Sequence, residues 1–147
     1  MTMKPFSLQS VLELMQTRTD DATRRLANLI TCEKDAKSKL EMLQQYRDEY
    51  AGRFRQAAEN GISQRDWHNY QEFLNRLDEA INSQRKTLIQ QESNTRAGQA
   101  HWQQQRVKLK AFDTLSQRHE TNEIKLEGRR EQRIQDEFAS RRNDDKD

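Results

Sequence analysis

The feature that most constrains this chain is a heptad repeat of apolar residues near its start. Over residues 8–57, positions spaced alternately by four and three residues are apolar in 12 of 15 cases. Such spacing places the apolar side chains on one stripe of a helix, which coiled coils bury against a second helix. The only proline is Pro5, so no later residue is barred from a helix on that account. The sequence therefore predicts a first helix over about 7–58.

A short stretch that reads ENGIS interrupts this repeat at residues 59–63. Asparagine followed by glycine ends a helix readily, because Gly61 reaches positive φ without a Cβ clash. Ser63 then offers a hydroxyl to the first free amide groups of a new helix, and Asp66 follows at the capping-box position. The alternative is a kink or loop within an ordinary helical domain. We expect a turn at about 59–63 and a second helix over about 64–140.

The second helix carries a weaker repeat of the same kind, apolar in 9 of 14 positions over residues 67–112. A short turn favours an antiparallel hairpin, here pairing residues whose numbers add up to about 124. In that register Thr19 meets Gln105 and the small Gly98 meets Leu26, so polar faces polar and small faces large. The fold class that follows is all-α, a long antiparallel two-helix coiled coil.

The second helix is longer than the first, so its last part has no partner within the chain. In the register above, residues 117–147 extend past the first helix as an overhanging C-terminal helix with a charged tail. High helix propensity and many opposite charges one helical turn apart support this helix. The segment is either a solvated end that frays or a helix that becomes ordered on a partner.

Composition agrees with long helices better than with a globular core, since 32% of residues are hydrophobic and 34% are charged. The net charge of +2 is spread along the chain, which argues against a nucleic-acid-binding stripe. The single cysteine, Cys32, cannot form an internal disulfide, and no secretory signal or membrane-length apolar run is found. We expect a cytoplasmic protein.

Catalytic and metal-binding motifs are missing from the sequence. No P-loop, HExxH, CxxC or glycine-rich dinucleotide turn occurs, and His68, His101 and His119 are far apart along the chain. For His68 and His119 we expect structural or solvent-facing roles. The sequence predicts a protein that is not an enzyme and holds no cofactor.

Two aromatic residues near the turn, Tyr46 and Phe73, fall beside the apolar repeat instead of on it. Two paired helices bury only a narrow stripe, so large apolar groups beside that stripe stay partly exposed. The two rings therefore either form a docking patch for a partner or widen the core near the turn.

Three stretches carry a family resemblance: LQQYRDEY at 43–50, GISQRDWHNYQEFLNRLDEAI at 61–81 and LKAFDTLSQRHE at 109–120. They resemble the FliJ family of flagellar type III export proteins, and the resemblance covers nearly the whole chain, including the late DEFASRR. Its most specific element is the W-x-x-Y-x-x-F sequence directly after the Gly-Ile-Ser turn.

The resemblance implies a cytoplasmic antiparallel coiled coil, similar to the central stalk of rotary ATPases, that helps couple ATP hydrolysis and proton motive force to secretion of flagellar subunits. It implies three partners: the flagellar export ATPase ring, a membrane protein of the export gate, and flagellar export chaperones. The protein would be a monomer when free, peripherally associated with the cytoplasmic face of the inner membrane at the export apparatus.

The resemblance also implies positions for two binding surfaces. Carried over by position, the gate-binding surface comprises Leu43, Tyr46, Tyr50, Phe73, Leu77 and Ala80. The chain ends of such a stalk are expected to enter the ATPase ring. The overhang residues that we expect to contact the ATPase are Arg118, Glu123, Arg129, Arg130 and Arg133.

Two other functions stay open at this point. One is a generic coiled-coil scaffold or dimerisation module outside the flagellar system, which the heptad repeat alone would serve equally well. The other is a helical hairpin that binds RNA or DNA, for which retention on a phosphate-rich column should decline steeply with salt.

Overall fold

The structure of the protein is a computed structural model that describes residues 5–144, with side chains described from residue 8 onward. Two α-helices, α1 (Pro5–Asn60) and α2 (Gln64–Asp144), account for nearly all of this range, and the described residues contain no strand. The helices run antiparallel and pack against each other. The fold class predicted from the heptad repeat is confirmed.

The helix bounds differ slightly from those expected. The first helix begins at Pro5, because the fixed φ of proline suits the first position of a helix, where its missing N–H is not needed. It continues to Asn60, since the first residue to leave the helical conformation is Gly61, with φ of 85°. The second helix begins at Gln64, as expected, and continues to Asp144.

The turn consists of three residues, 61–63, and its hydrogen bonds explain why the chain reverses there. The Gly61 N–H donates to the Ala58 carbonyl at 3.3 Å and thereby closes α1. The Ser63 hydroxyl accepts a hydrogen bond from the Asp66 amide at 3.1 Å. This bond satisfies one of the unpaired amides at the start of α2, so the predicted role of Ser63 as N-cap is confirmed.

The described helices form two compact units. The turn unit is Asp21–Gln103, and the end unit consists of the described residues on either side of it along the chain. Each unit contains a segment of both helices and is held together by contacts between them.

In the turn unit, buried apolar side chains of both helices form the core: Ala22, Ala36, Leu77 and Ile81. The predicted register is confirmed there, because the Phe54 and Tyr70 rings lie 5.4 Å apart and the Thr95 hydroxyl donates to the Leu29 carbonyl at 3.3 Å. A Cβ added to Gly98 would overlap the Leu29 side chain and lie 3.8 Å from Leu26 Cδ1. Glycine therefore allows close approach of the helices at this point.

In the end unit, Leu8 and Met15 are buried, and the predicted Thr19–Gln105 pair is present. The Thr19 hydroxyl lies 2.8 Å from the Met15 carbonyl and 3.3 Å from the Gln105 carbonyl. Side chains of α2 remain partly covered as far as His119, and all described residues after it are exposed. We call Glu120–Asp144 the overhang.

The overhang begins about one turn later than the residue 117 expected from the sequence. The register places His119 opposite the start of α1 at Pro5, which precedes the expected start at residue 7.

Candidate protein-binding surfaces

A cluster of aromatic rings fills the space between the helices next to the turn. The Tyr50 ring contacts the Tyr70 ring at 5.3 Å and the Phe73 ring at 4.4 Å between centroids, and Trp67 lies 6.3 Å from Phe54. All the ring pairs are tilted, an arrangement that aromatic pairs favour over face-to-face stacking. Removal of the Tyr50 ring from water raises the pKa of its phenol above the ordinary value of 10.0.

The six residues expected to bind the gate lie together near this cluster, and they differ in exposure. Leu77 is a core residue with 8% of its surface exposed, whereas Tyr46 is 52% exposed. Leu43, Tyr50, Phe73 and Ala80 are half-buried. Phe73 widens the core through its contact with Tyr50, which was one of the two roles expected for the aromatic residues. Tyr46 has the exposure that the other role, a docking patch, requires.

Sequence reasoning missed one exposed apolar residue beside this surface, Met42. It lies four residues before Tyr46, and side chains at that spacing are neighbours on a helix surface. The i,i+4 spacing of Met42 and Tyr46 could have identified Met42 from the sequence. It was missed because Met42 lies outside the heptad repeat from which the helix pairing was predicted. Methionine is flexible and polarisable, which suits an adaptable binding surface.

An ion pair joins the two helices in the same part of the turn unit. Arg47 Nε lies 2.8 Å from Asp78 Oδ1, and both side chains are more than one-third exposed. The hydrogen bond to Asp78, followed by its negative charge, raises the pKa of Arg47. Arg47 occupies a position of the heptad repeat where an apolar residue would otherwise stand, so the pair explains how the repeat tolerates a charge there.

The residues expected to contact the ATPase lie at or just before the overhang, and all five are exposed: Arg118, Glu123, Arg129, Arg130 and Arg133. The five residues fall within an arc of about 140° on one side of the helix, because consecutive residues are separated by about 100°. His119 Nε2 lies 3.9 Å from Glu123 Oε1, so this glutamate is within ion-pair distance whenever the histidine is protonated. The overhang also carries exposed apolar residues that the sequence reasoning did not single out: Ile124, Leu126, Ile134 and Phe138.

Two further properties concern chemistry and membranes. Within the described residues, no three side chains of His, Cys, Asp and Glu come together in a group that could hold a metal ion. Neither described helix has a segment both long and apolar enough to cross a membrane.

Comparison with known proteins agrees with the two-helix fold. The chain resembles a protein of Chlamydia trachomatis, CT670, described as a YscO homologue, with a TM-score of 0.70 and 16% sequence identity. The match covers 95% of this chain and 94% of the other. At this low identity the likeness concerns the fold alone.

Sequence comparison gives a closer relationship. The chain is 31% identical over 135 residues to the flagellar FliJ protein of Salmonella typhi and 30% identical over 135 residues to that of Escherichia coli K12. Each match covers 92% of this chain and 92% of the relative. Residues 3–146 also match the family described as flagellar FliJ protein. This chain belongs to the flagellar FliJ family.

Proposed function

We propose that this chain is a component of the flagellar type III export apparatus and acts there as a stalk-like coupling and chaperone-escort factor. The observation that carries the proposal is the FliJ family match over residues 3–146, on a chain whose described part consists of two paired helices and an overhang. The chain would act through binding, without chemistry of its own.

The overhang is the part of the chain that would enter the ring of the export ATPase. All of its residues are exposed. A single helix is about 10–12 Å across with its side chains, which suits insertion among the subunits of a ring. Arg129, Arg130 and Arg133 would supply exposed charge contacts, which salt should weaken over a Debye length of about 8 Å.

The surface around Tyr46 would bind the membrane protein of the export gate. Tyr46 and Met42 are exposed apolar side chains one helical turn apart, and the half-buried Tyr50 follows one turn further along α1. A tyrosine offers a large contact area at low entropic cost, a frequent property of residues that dominate interfaces. The core residue Leu77 would support this surface more than contact the gate.

Coupling would arise from differential binding. If the overhang binds one arrangement of the ATPase subunits better than another, it shifts their equilibrium toward that arrangement by the difference in binding free energy. The same chain, bound to the gate through the Tyr46 surface or to an export chaperone, would link that equilibrium to secretion. In this proposal the protein is a cytoplasmic monomer when free and reaches the membrane only through the apparatus.

The test is secretion of flagellar subunits by cells from which the gene for this chain has been deleted. We expect flagellar subunits in the culture medium to fall, to recover with the full chain, and to recover less with a chain shortened to end at His119. Normal secretion in the deleted cells would contradict an export role and favour a scaffold outside the flagellar system. Full recovery with the shortened chain would contradict the role of the overhang.

A further inference from the structure

One face of the overhang combines exposed apolar residues with unpaired carboxylates. Six residues spaced by three or four positions form this acidic–apolar face: Glu120, Ile124, Glu127, Glu131, Ile134 and Phe138. Since an α-helix turns by about 100° per residue, all six fall within an arc of about 80°. They therefore form a single row along the helix, set to one side of the heptad repeat.

The row is open to solvent along its length. Ile124, Ile134 and Phe138 are 67%, 65% and 68% exposed. Within the part of the chain whose side chains are described, Glu127 and Glu131 form no ion pair. Three of the exposed large apolar side chains of the overhang therefore share one face, whereas Leu126 lies on another side of the helix.

Most basic residues in this part of α2 lie away from the acidic–apolar face. Arg118, Lys125, Arg129 and Arg133 lie on the opposite side of the helix, by the same turn of about 100° per residue, and Asp136 lies among them. Arg142 lies on the acidic–apolar face itself, one turn beyond Phe138. Between Glu120 and Phe138 the face therefore presents negative charge between apolar residues. A partner that covers it must supply positive charge next to apolar groups.

A second copy of this chain does not meet that requirement in three registers that would bury Ile124. Two overhangs in parallel register would place Glu127 and Glu131 opposite their own copies. In an antiparallel pair, setting Ile124 opposite Ile134 brings Glu127 against Glu131, and setting Ile124 opposite Phe138 brings Glu131 against itself. Each arrangement brings like charges together within the row, which opposes the gain from apolar burial.

We propose that the acidic–apolar face is a docking surface for an amphipathic helix of a partner, one whose contact row carries Lys or Arg between apolar residues. Two helices packed in this way bury apolar side chains at both ends of the contact and pair the central glutamates with basic groups. This proposal goes beyond the export role and does not depend on it.

The experiment uses the full chain and two designed helical peptides of about 20 residues, long enough to span the row at about 1.5 Å per residue. Both peptides have the same leucine row, with lysines at its centre in one and glutamates in the other. Fluorescence anisotropy of the labelled peptides gives their Kd. We expect the lysine peptide to bind at least about tenfold more tightly than the glutamate peptide, a difference of about 1.4 kcal/mol.

Variants of the chain then locate the site. Ile134→Ser with Phe138→Ser should weaken binding of the lysine peptide at least about tenfold. Glu127→Lys with Glu131→Lys should reverse the preference, so that the glutamate peptide binds better. Leu126→Ser and Asp136→Lys are matched controls, because these exposed residues lie on other sides of the same helix, and they should leave binding unchanged. Circular dichroism should find the same helix content in all variants, since every substituted residue is exposed.

Three outcomes would overturn the proposal. Equal affinity for the two peptides would remove the charge requirement, and binding that survives both double substitutions would place the peptide elsewhere. Sedimentation of the chain as a dimer that Ile134→Ser with Phe138→Ser abolishes would identify a second copy as the occupant. The peptide-binding results do not depend on whether other variants lose ATPase binding or flagellar secretion. The proposed function and this docking surface can therefore fail separately.

Discussion

Individual polar residues between the helices are accommodated by hydrogen bonds to the backbone. In the turn unit, Gln84 donates to the Ala36 carbonyl of the opposite helix at 3.1 Å, and the Thr95 hydroxyl has the carbonyls of Gln91 and Leu29 within 3.3 Å. A buried polar group without a partner would cost about 1–3 kcal/mol, so these bonds allow the heptad repeat to remain partly polar. Such bonds also favour one register, because a shift of either helix would break them.

Two glycines within the helices provide a matched test of close approach. A Cβ added at Gly52 would meet nothing within 4 Å, whereas one added at Gly98 would overlap the Leu29 side chain. Gly52→Ala should stabilise the protein by about 0.5–1 kcal/mol, because alanine suits a helix interior better than glycine. Gly98→Ala should gain less or destabilise the protein, since Leu29 must move. Urea unfolding measures both free energies, and an equal gain from the two substitutions would show that the helices are not in close contact at Gly98.

The pKa of Tyr50 predicts a pH dependence of stability. Because desolvation raises this pKa in the folded protein, the folded state keeps the phenol proton to higher pH than the unfolded chain does. The associated stability is fully present below the ordinary pKa of 10.0 and is lost as the pH rises through the raised value. The Tm should therefore fall less steeply above about pH 10 in Tyr50→Phe than in the unchanged chain. Identical pH profiles of the two proteins would contradict this desolvation.

At the scale of the helices, the heptad repeat determines which face is covered. All 15 repeat positions of α1 and 13 of 14 in α2 are buried or half-buried, the exception being Trp67 next to the turn. The contribution of a side chain to stability therefore depends on whether it lies in the repeat or beside it. Leu77 and Tyr46 illustrate the difference, because both were assigned to one surface by position.

Substitution of these two residues should therefore affect the free energy of unfolding to very different extents. Leu77→Ala should destabilise the protein by about 2–5 kcal/mol, because it opens space in a close-packed core. Tyr46→Ala should change stability by less than about 0.5 kcal/mol, since its ring is exposed. Thermal unfolding followed by circular dichroism measures both. A large loss in Tyr46→Ala would assign this ring to the core and remove it from the proposed gate-binding surface.

The periodicity of the sequence accounts for the fold and the register, because these depend on which face of each helix is apolar. The N-cap follows from the hydroxyl of Ser63 directly after the turn. Periodicity does not give the exposure of residues beside the repeat, which depends on the side chains of the opposite helix. Phe73 and Tyr46 occupy equivalent positions beside the repeat, yet Phe73 meets the Tyr50 ring and Tyr46 stays exposed. The acidic–apolar face was missed for a related reason, since its row lies outside the heptad repeat of the paired helices.

At the scale of the whole molecule, the two proposed partner surfaces belong to different units. The Tyr46 surface lies in the turn unit, and the overhang belongs to the end unit. Each rests on exposed side chains, so each can be altered without removing core contacts. If the protein is a coupling factor, these two surfaces should bind different partners of the export apparatus.

The most direct test measures binding of two altered chains to the purified export ATPase and to the purified gate protein. The chain shortened to end at His119 should lose ATPase binding and keep gate binding, with an unchanged thermal transition, because every residue of the overhang is exposed. Tyr46→Ala with Met42→Ala should lose gate binding and keep ATPase binding. If either alteration abolished binding to both partners, or if neither changed any affinity, the two surfaces would not serve separate partners and the account would be wrong.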